Sequence, residues 1–500
     1  MVTVRRILPA RLGAATFYRH VSHLALGTAV SQVVLVVASV LLARLYSPRE
    51  FGEFAVILAV STVVATAATL RLELAVPLAE DDREALAVAT AAVWTVLAVA
   101  AALTAALVAF ALWSPAGVDS LGAGSAAWLI PVTVAAAGTA AVGRMVRSRA
   151  GTFGVVSRSS VSSALVQSVG QVGAGLLGWG TPGLAGGYVA GRLWSAVVLL
   201  RGTGVRRTDG PLAWIRTVRR WRRFCVLSTV PAVLNTLGVA AIAPVVALCY
   251  GMTVSGLFLF ATRILTLPVA LVGQGVSAVL FPRMAELERT GGDLRGAVGR
   301  TVTGLTMLSV PTFGLVLLLG PELFGLAFGA RWRDAGLTAA LLAPWLTVSF
   351  VSSPISTLMT VKNQLHRLVV LSFVETGLRV GALSSGLLGG GPWLGIAAYS
   401  LAGTVICLYS VRWCLRLVGS GLRDWLRPRR RYVLTTAVAY PVLLALKGNL
   451  PVAAYLVLVA LLTVGMAGWA AHWLYRNAPG RGRSVGREPG AGRAEMSVAR

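Results

Sequence analysis

The chain has 500 residues, of which 56% are hydrophobic and only 13% are charged, and its mean hydropathy is +0.77. This composition excludes an ordinary soluble domain and requires a membrane protein. The net charge of +27 would suit a nucleic-acid partner, but the basic residues alternate with long apolar segments, which argues against one.

Fourteen apolar segments follow one another along the chain, each long enough to cross a ~30 Å hydrocarbon core as a helix. They lie at 24–43, 51–70, 85–112, 121–142, 160–178, 182–201, 225–248, 253–280, 301–320, 337–360, 368–388, 393–411, 432–447 and 452–475. Segments of this length suit helices rather than the short alternating strands of a barrel. The sequence therefore predicts an all-α polytopic membrane protein.

The positions of Lys and Arg predict the orientation, because basic residues in short loops stay on the cytoplasmic side. With both termini inside, the cytoplasmic segments hold 36 of the 45 basic residues. These segments are 1–23, 71–84, 143–160, 202–224, 282–300, 361–367, 412–431 and the tail 476–500. We therefore expect a plasma-membrane protein with cytoplasmic termini, whose basic runs attract anionic membrane lipids.

The first helix connection, ARLYSPREFGEF at 43–54, is polar between two apolar segments. Pro48 and Gly52 are expected to end one helix and start the next, while Phe51 and Phe54 pack back into the bundle. Tyr46 is expected at the membrane interface with a solvated hydroxyl. The plainer alternative is a compact connection without a further role.

A second connection repeats this pattern. ALCYGMTVSGLF at 247–258 places Tyr250, Gly256 and Phe258 at the spacing that Tyr46, Gly52 and Phe54 have in the first connection. VPLAE at 76–80 is echoed by FPRMAE at 281–286. Because both copies follow equivalent predicted helices, we expect two six-helix lobes related by a parallel repeat.

This reading gives the domain organisation. A cytoplasmic N-terminus precedes the first lobe, a basic linker and a basic loop flank the second lobe, and two additional helices and a disordered Gly/Arg/Pro-rich tail follow. The boundaries are 1–23, 24–201, 202–224, 225–411, 412–431, 432–475 and 476–500.

The chain resembles a known family, the bacterial polysaccharide flippases of the multidrug/oligosaccharidyl-lipid/polysaccharide (MOP) exporter superfamily. The resemblance lies in the order of ARLYSPREFGEFAV at 43–56, LRLELAVPLAEDDREALAV at 70–88, the stretch from PAVLNT at 231 to MAEL at 287, and ELFGLAFGARWRDAG at 322–336. It implies a MATE-like fold without cofactors, and alternating-access movement of undecaprenyl-pyrophosphate-linked oligosaccharides to the outer leaflet for lipopolysaccharide or exopolysaccharide biosynthesis. A polysaccharide polymerase is a further expected partner.

Charged residues within predicted helices are the candidate substrate contacts, since such residues normally face a cavity or a partner. Arg192, Arg263 and Arg379 outnumber the one clearly intramembrane acid, Glu375, and a cationic cavity fits a pyrophosphate. Glu375 precedes Arg379 by one helical turn, so this pair could instead neutralise itself. Arg263, which recurs at an equivalent place in the resembling family, is the strongest candidate.

Further polar and proline positions suggest coupling or movement. Glu375 and Glu73 are candidates for ion coupling, although Glu73 could simply pair with Arg71. Pro268 within a helix is a candidate hinge beside the gate candidates Tyr46, Gly52, Tyr250 and Gly256. Asn235, Gln274 and Gln32 could bond sugar hydroxyls, but helix packing is the expected role of each.

Three other functions are also compatible with parts of the sequence. A lipid II flippase would use the same carrier lipid, and a multidrug exporter would share the fold but needs more intramembrane acids. A membrane glycosyltransferase or polymerase finds support only in EDDRE at 80–84, which is expected to cap a helix instead of binding metal. No phosphate-binding G-x4-G-K-[ST] loop for ATP occurs in the sequence.

Overall fold

The computed structural model describes residues 14–114, 124–205, 210–362, 364–421, 425 and 430–476. The described chain forms helices and no strand, as predicted. The predicted disordered tail beyond residue 476, most of the N-terminal segment 1–23, and parts of the two basic connections at 202–224 and 412–431 lie outside the described residues.

We number the helices α1 to α17 in chain order. They are α1 Ala14–Leu45, α2 Pro48–Ala68, α3 Asp82–Trp113, α4 Leu129–Arg149, α5 Phe153–Leu176, α6 Gly180–Leu200, α7 Gly210–Arg220, α8 Arg222–Ala240, α9 Ile242–Tyr250, α10 Met252–Thr290, α11 Leu294–Phe328, α12 Arg333–Ile355, α13 Thr357–Val361, α14 Leu365–Ser384, α15 Gly391–Leu417, α16 Arg430–Leu446 and α17 Val452–Arg476.

In the described chain, 11 helical segments are long and apolar enough to cross a membrane, so this is a multi-pass membrane protein. Each of the fourteen predicted segments coincides with helix, but α5, α14 and α16 do not reach that standard. The count of fourteen crossings stays a prediction. The seventh segment is interrupted at Ala241, between α8 and α9, where Pro244 cannot donate a backbone hydrogen bond.

The start of α2 is fixed by its own sequence. Ser47 caps the helix, its hydroxyl accepting from the Glu50 amide, while the Glu50 carboxylate accepts from the Ser47 amide at 2.6 Å. Pro48 occupies the first turn, where no backbone donor is needed. Phe51 and Phe54 are buried, as predicted. This capping box makes the connection between α1 and α2 a short, rigid corner.

The prediction of a solvated Tyr46 hydroxyl is wrong. Tyr46 is 1% exposed, and its hydroxyl donates to the carbonyl of Gln171 in α5 at 2.7 Å. Burial raises the pKa of Tyr46 to about 12, so the hydroxyl stays protonated at neutral pH. Tyr250 repeats the arrangement in the second half, donating to the carbonyl of Leu383 in α14. Each tyrosine thus fixes its corner to a later helix of the same half of the chain, Tyr46 to α5 and Tyr250 to α14.

We expect Tyr46→Phe to lower the free energy of unfolding by about 1–3 kcal/mol, because it leaves the buried Gln171 carbonyl without this donor. Thermal unfolding of the purified protein in detergent measures the change. Tyr409→Phe is the matched control, since that ring is 49% exposed. Equal melting temperatures for Tyr46→Phe and the wild type would show that this bond does not hold the corner.

The first turns of α2 and α10 cross in direct backbone contact. A methyl group on Gly52 would overlap the carbonyl of Met252, and a methyl group on Gly256 would overlap the carbonyl of Pro48. Gly52 and Gly256 are 204 residues apart, as are Pro48 and Met252. The contact is therefore reciprocal, as in an interface with two-fold symmetry. It supports a repeat at this crossing, while the repeat of whole lobes stays a prediction.

Aromatic side chains fill the space around this crossing. Trp332 is fully buried, its indole nitrogen donates to the Ala43 carbonyl at 2.7 Å, and its ring centroid lies 5.2 Å from that of Phe51. Phe260 of α10 packs on Trp332 at 4.1 Å and on Phe328 at 4.9 Å. We call this end of the bundle the Tyr46 end. At this end the two halves of the chain are joined by one continuous apolar cluster.

The opposite end of the bundle, the Glu73 end, is held by polar contacts. Asp81 caps α3 by accepting from the Glu84 amide at 2.6 Å, which confirms the capping role expected for EDDRE. Arg149 at the end of α4 donates to the carbonyls of Val76 and Ala79 at 3.0 and 2.9 Å. These bonds fix the connection between α2 and α3 against α4.

Candidate functional site

A cavity of about 550 Å³ begins one helical turn below the α2–α10 crossing, on the side of the second half of the chain. Its size lies within the range of about 300–1,000 Å³ typical of small-ligand sites. Residues of α2, α8, α9, α10, α12, α14 and α15 line it, and its polar lining consists of Thr62, Asn235, Thr262, Thr266, Ser372, Glu375, Thr376, Arg379 and Tyr399.

The charged pair predicted within the second half forms at the wall of this cavity. Arg379 donates to the Glu375 carboxylate at 2.9 Å, and its guanidinium lies 3.8 Å from the Trp345 ring centroid and 4.0 Å from that of Tyr399. Arg379 is 7% exposed, and its Nε and Nη2 atoms have no hydrogen-bond partner among the described residues. Two aromatic faces and one carboxylate thus surround a single cation.

We expect Glu375→Gln to destabilise the protein by on the order of 2 kcal/mol, because Arg379 would remain buried without its counter-charge. The double variant Glu375→Gln, Arg379→Gln should recover part of that loss, since it removes both charges. Thermal unfolding in detergent measures both variants. An unchanged melting temperature for Glu375→Gln, together with lost sensitivity to an ion gradient, would favour the coupling role predicted from sequence over a structural one.

The remaining intramembrane arginines lie on the other side of α10, towards the first half. The Arg192 guanidinium lies 4.8 Å from the ring centroid of Tyr188, and Tyr188 is also an electrostatic neighbour of Arg263. The Tyr188 ring in turn packs on Phe54 of α2 at 5.9 Å. Arg263 and Arg192 are therefore both neighbours of Tyr188, whereas Arg379 contacts Glu375, Trp345 and Tyr399 at the cavity wall.

A further cation, Arg144, is a neighbour of Arg192. Arg144 of α4 lies close enough to Arg192 for the two charges to interact unfavourably. It lies five residues before the C-terminal end of α4, in the segment 143–160 that is expected on the cytoplasmic side. In the described chain, no ion pair or hydrogen bond neutralises Arg144, Arg192 or Arg263.

The other predicted site residues are scattered. Glu73 is buried at the Glu73 end and faces Arg71 at 3.4 Å, the pairing considered from sequence. Pro268 lies inside α10, which continues through it as one helix, so its hinge role stays a prediction. The Gln274 side chain lies outside the described residues, and Gln32 is half-buried on α1.

Asn235 differs from its expected helix-packing role. Its side chain is exposed to the cavity, and no hydrogen bond to it occurs among the described residues. Sequence reasoning also missed the glycines that admit the two corner tyrosines. Gly183 lies against the Tyr46 hydroxyl, and Gly386 and Gly395 lie against that of Tyr250. The sequence signal that could have found them is a glycine close to the start of α6 in the first half and close to the start of α15 in the second half.

Solved structures with the same fold are transporters. A structure described as "Lipid II flippase MurJ, inward closed conformation" aligns with a TM-score of 0.71 and 13% identity, over 91% of this chain and 98% of that one. A MOP superfamily transporter from Pyrococcus furiosus, described under "Reverse polarity of binding pocket suggests different function", aligns with a TM-score of 0.53 and 14% identity over 80% and 96%. A structure described as "MATE in complex with MaD3S" aligns with a TM-score of 0.51 and 14% identity, over 80% of this chain and 96% of that one.

At these identities the likeness shows that the chain has the same fold as these transporters. A comparison with curated proteins finds no match. Residues 41–336, more than half of the chain, match the family described as "Polysaccharide biosynthesis protein". The corner at Tyr46, the crossing at Gly52 and Gly256, and the buried Trp332 all lie within that range. The chain is a member of this polysaccharide biosynthesis family.

Proposed function

We propose that the protein is a flippase that moves undecaprenyl-pyrophosphate-linked oligosaccharide from the inner to the outer leaflet of the plasma membrane. Membership of a polysaccharide biosynthesis family and a transporter fold support the class of molecule and the class of activity. The positive-inside distribution of Lys and Arg supports an outer Tyr46 end and an inner Glu73 end.

One observation carries the substrate assignment, namely the arginine cluster in which Arg192 and Arg263 share the neighbour Tyr188 and Arg144 lies near Arg192. Uncompensated cations within a membrane protein are costly unless they face water or an anionic ligand. A pyrophosphate supplies the charge that this cluster lacks, and its oxygens accept the forked donors of a guanidinium. Arg263 and Arg192 hold the pyrophosphate in this proposal, and Arg144 leads it in from the inner side. Arg379, already neutralised by Glu375, has a structural role.

The crossing of α2 and α10 serves as the outer gate. Its two glycines bring the helix backbones together, and the buried aromatic rings of Phe51, Phe260 and Trp332 seal the space beside it. A bulky, hydrated saccharide needs this seal to part before it can leave towards the outside. Alternating access then consists of opening this crossing and closing the Glu73 end.

A lipid II flippase is the second candidate, because a structure described as one aligns over 98% of its own length and 91% of this chain with a TM-score of 0.71. Both candidates use the same anionic carrier, so the arginine cluster does not separate them. A multidrug exporter fits less well, since cationic drugs would meet three uncompensated arginines.

Competition binding tests the proposal directly. Purified protein in nanodiscs is expected to bind fluorescent undecaprenyl pyrophosphate, and unlabelled lipid-linked oligosaccharide should displace it at lower concentration than lipid II does. Displacement by lipid II at the lower concentration would favour the second candidate. Failure to bind undecaprenyl pyrophosphate, with binding of an organic cation instead, would overturn both.

A further inference from the structure

The cavity beside the Glu375–Arg379 pair has a wall that is rich in hydrogen-bond acceptors. Thr62, Thr262, Thr266 and Thr376 each donate their hydroxyl hydrogen to a carbonyl one turn earlier in their own helix, at 2.7 to 2.9 Å. Their hydroxyl oxygens keep lone pairs that face the cavity. A ligand meets these threonines as acceptors, because their donors are already used.

Two more groups on the wall have free bonding capacity. Glu375 is 29% exposed and binds Arg379 through one oxygen, which leaves its other oxygen available as an acceptor. The exposed amide of Asn235 has both donors and its acceptor free within the described part of the chain. Together with the threonines, these groups require a ligand that brings many hydrogen-bond donors.

The charge of the wall narrows the ligand further. Glu375 and Arg379 cancel, so the lining has no net charge. A free carboxylate oxygen and several hydroxyl acceptors disfavour an anion, and the three arginines on the other side of α10 disfavour a cation. A neutral polyol satisfies both conditions, because every sugar hydroxyl brings a donor.

Helix α10 connects this wall to the arginine cluster. Thr262 and Thr266 line the cavity, whereas the intervening Arg263 is not part of its lining and has Tyr188 of the first half as an electrostatic neighbour. On α2, Ala55 likewise lines the cavity, whereas the preceding Phe54 packs on Tyr188 of the first half. The two environments are therefore adjacent, one positive and one neutral and acceptor-rich.

We propose that the cavity lined by Asn235, Thr262, Thr266 and Glu375 is a saccharide subsite, which holds the neutral sugars next to the diphosphate bound by the arginines. This assignment rests on the proposed flippase function and adds a division of labour to it. The first half with α10 binds the diphosphate, and the second half reads the sugars. Glycan selectivity is then determined by α8, α10 and α14.

The test compares two probes on purified full-length protein in nanodiscs. One is undecaprenyl pyrophosphate without sugar, and the other is the saccharide-bearing pyrophosphate lipid extracted from the cells in which the protein occurs. Asn235→Ala and Thr266→Val are expected to weaken binding of the saccharide-bearing lipid about three- to tenfold and to leave binding of the bare lipid unchanged. Thr312→Val, an exposed threonine of α11 with the same type of internal bond, should alter neither.

Each other outcome overturns the subsite. Equal weakening for both probes would mean that these residues support the fold or the diphosphate site, and no weakening for either would remove them from the ligand. The flippase proposal fails separately, since it requires wild-type binding of both probes and weaker binding of both by Arg263→Ala. A purified variant that elutes as the wild type on gel filtration excludes misfolding as the cause.

Discussion

Gly52→Ala and Gly256→Ala are each expected to keep the outer gate from closing. The added methyl group would overlap the backbone of the opposite helix, which has no side-chain freedom to move aside. Overpacking of this kind costs about 1–3 kcal/mol, which corresponds to roughly a 5- to 150-fold shift away from the closed state. Transport should fall by a similar factor, because a gate that stays open interrupts alternating access.

Cysteine labelling reads this shift without depending on transport. In a protein whose four native cysteines have been replaced, Thr266→Cys places a thiol inside the cavity. A membrane-impermeant maleimide added from outside should label it slowly, and markedly faster when Gly52→Ala is added. Gly273→Ala is the control, because a methyl group there meets only Ser353 at 3.9 Å. Equal labelling in all three would contradict a gate at this crossing.

Arg263→Ala is expected to reduce transport about 10- to 150-fold with little loss of stability. Hydrogen bonds to charged groups contribute about 1.5–3 kcal/mol, and Arg263 makes no such bond within the described protein that its removal would break. Removing an uncompensated cation from a membrane helix should even make folding slightly more favourable. The loss would therefore report on the ligand.

Two comparisons make this prediction specific. Arg283→Ala removes a cation from the same helix, where it is exposed and pairs with Glu286 at 2.9 Å, and should leave transport near the wild-type rate. Arg263→Lys keeps the charge but loses the planar fork, so an intermediate rate is expected. A rate for Arg263→Ala equal to that of Arg283→Ala would limit Arg263 to a structural role.

The sequence predicted the helical fold and the special character of the two corners because both depend on local pattern. Apolar segments of membrane length, a proline in the first turn and the Tyr-x5-Gly-x-Phe spacing are all visible in the one-dimensional sequence. The pattern did not show what the corners contact. Tyr46 was expected in water, yet its hydroxyl reaches a carbonyl 125 residues away, and such a partner has no local signal.

The candidate site was predicted only in part, because local pairings have a sequence signal and long-range contacts do not. The pairing of Glu375 with Arg379 follows from their spacing on one helix and was anticipated. The proximity of Arg192 and Arg263 to Tyr188, and of Arg144 to Arg192, depends on how α4, α6 and α10 pack, which no local pattern shows. The position of Asn235 at the cavity is not predictable, because a sequence does not show which face of α8 borders a cavity.

Translocation of the lipid-linked oligosaccharide in reconstituted vesicles tests the central claim most directly. The vesicles contain the extracted pyrophosphate lipid, and an impermeant lectin or glycosidase reports how much saccharide has reached the outer surface. The account predicts protein-dependent translocation by the wild type that is largely lost in Arg263→Ala and retained in Arg283→Ala. No translocation by folded wild-type protein, with the saccharide-bearing lipid demonstrably present in the vesicles, would contradict it.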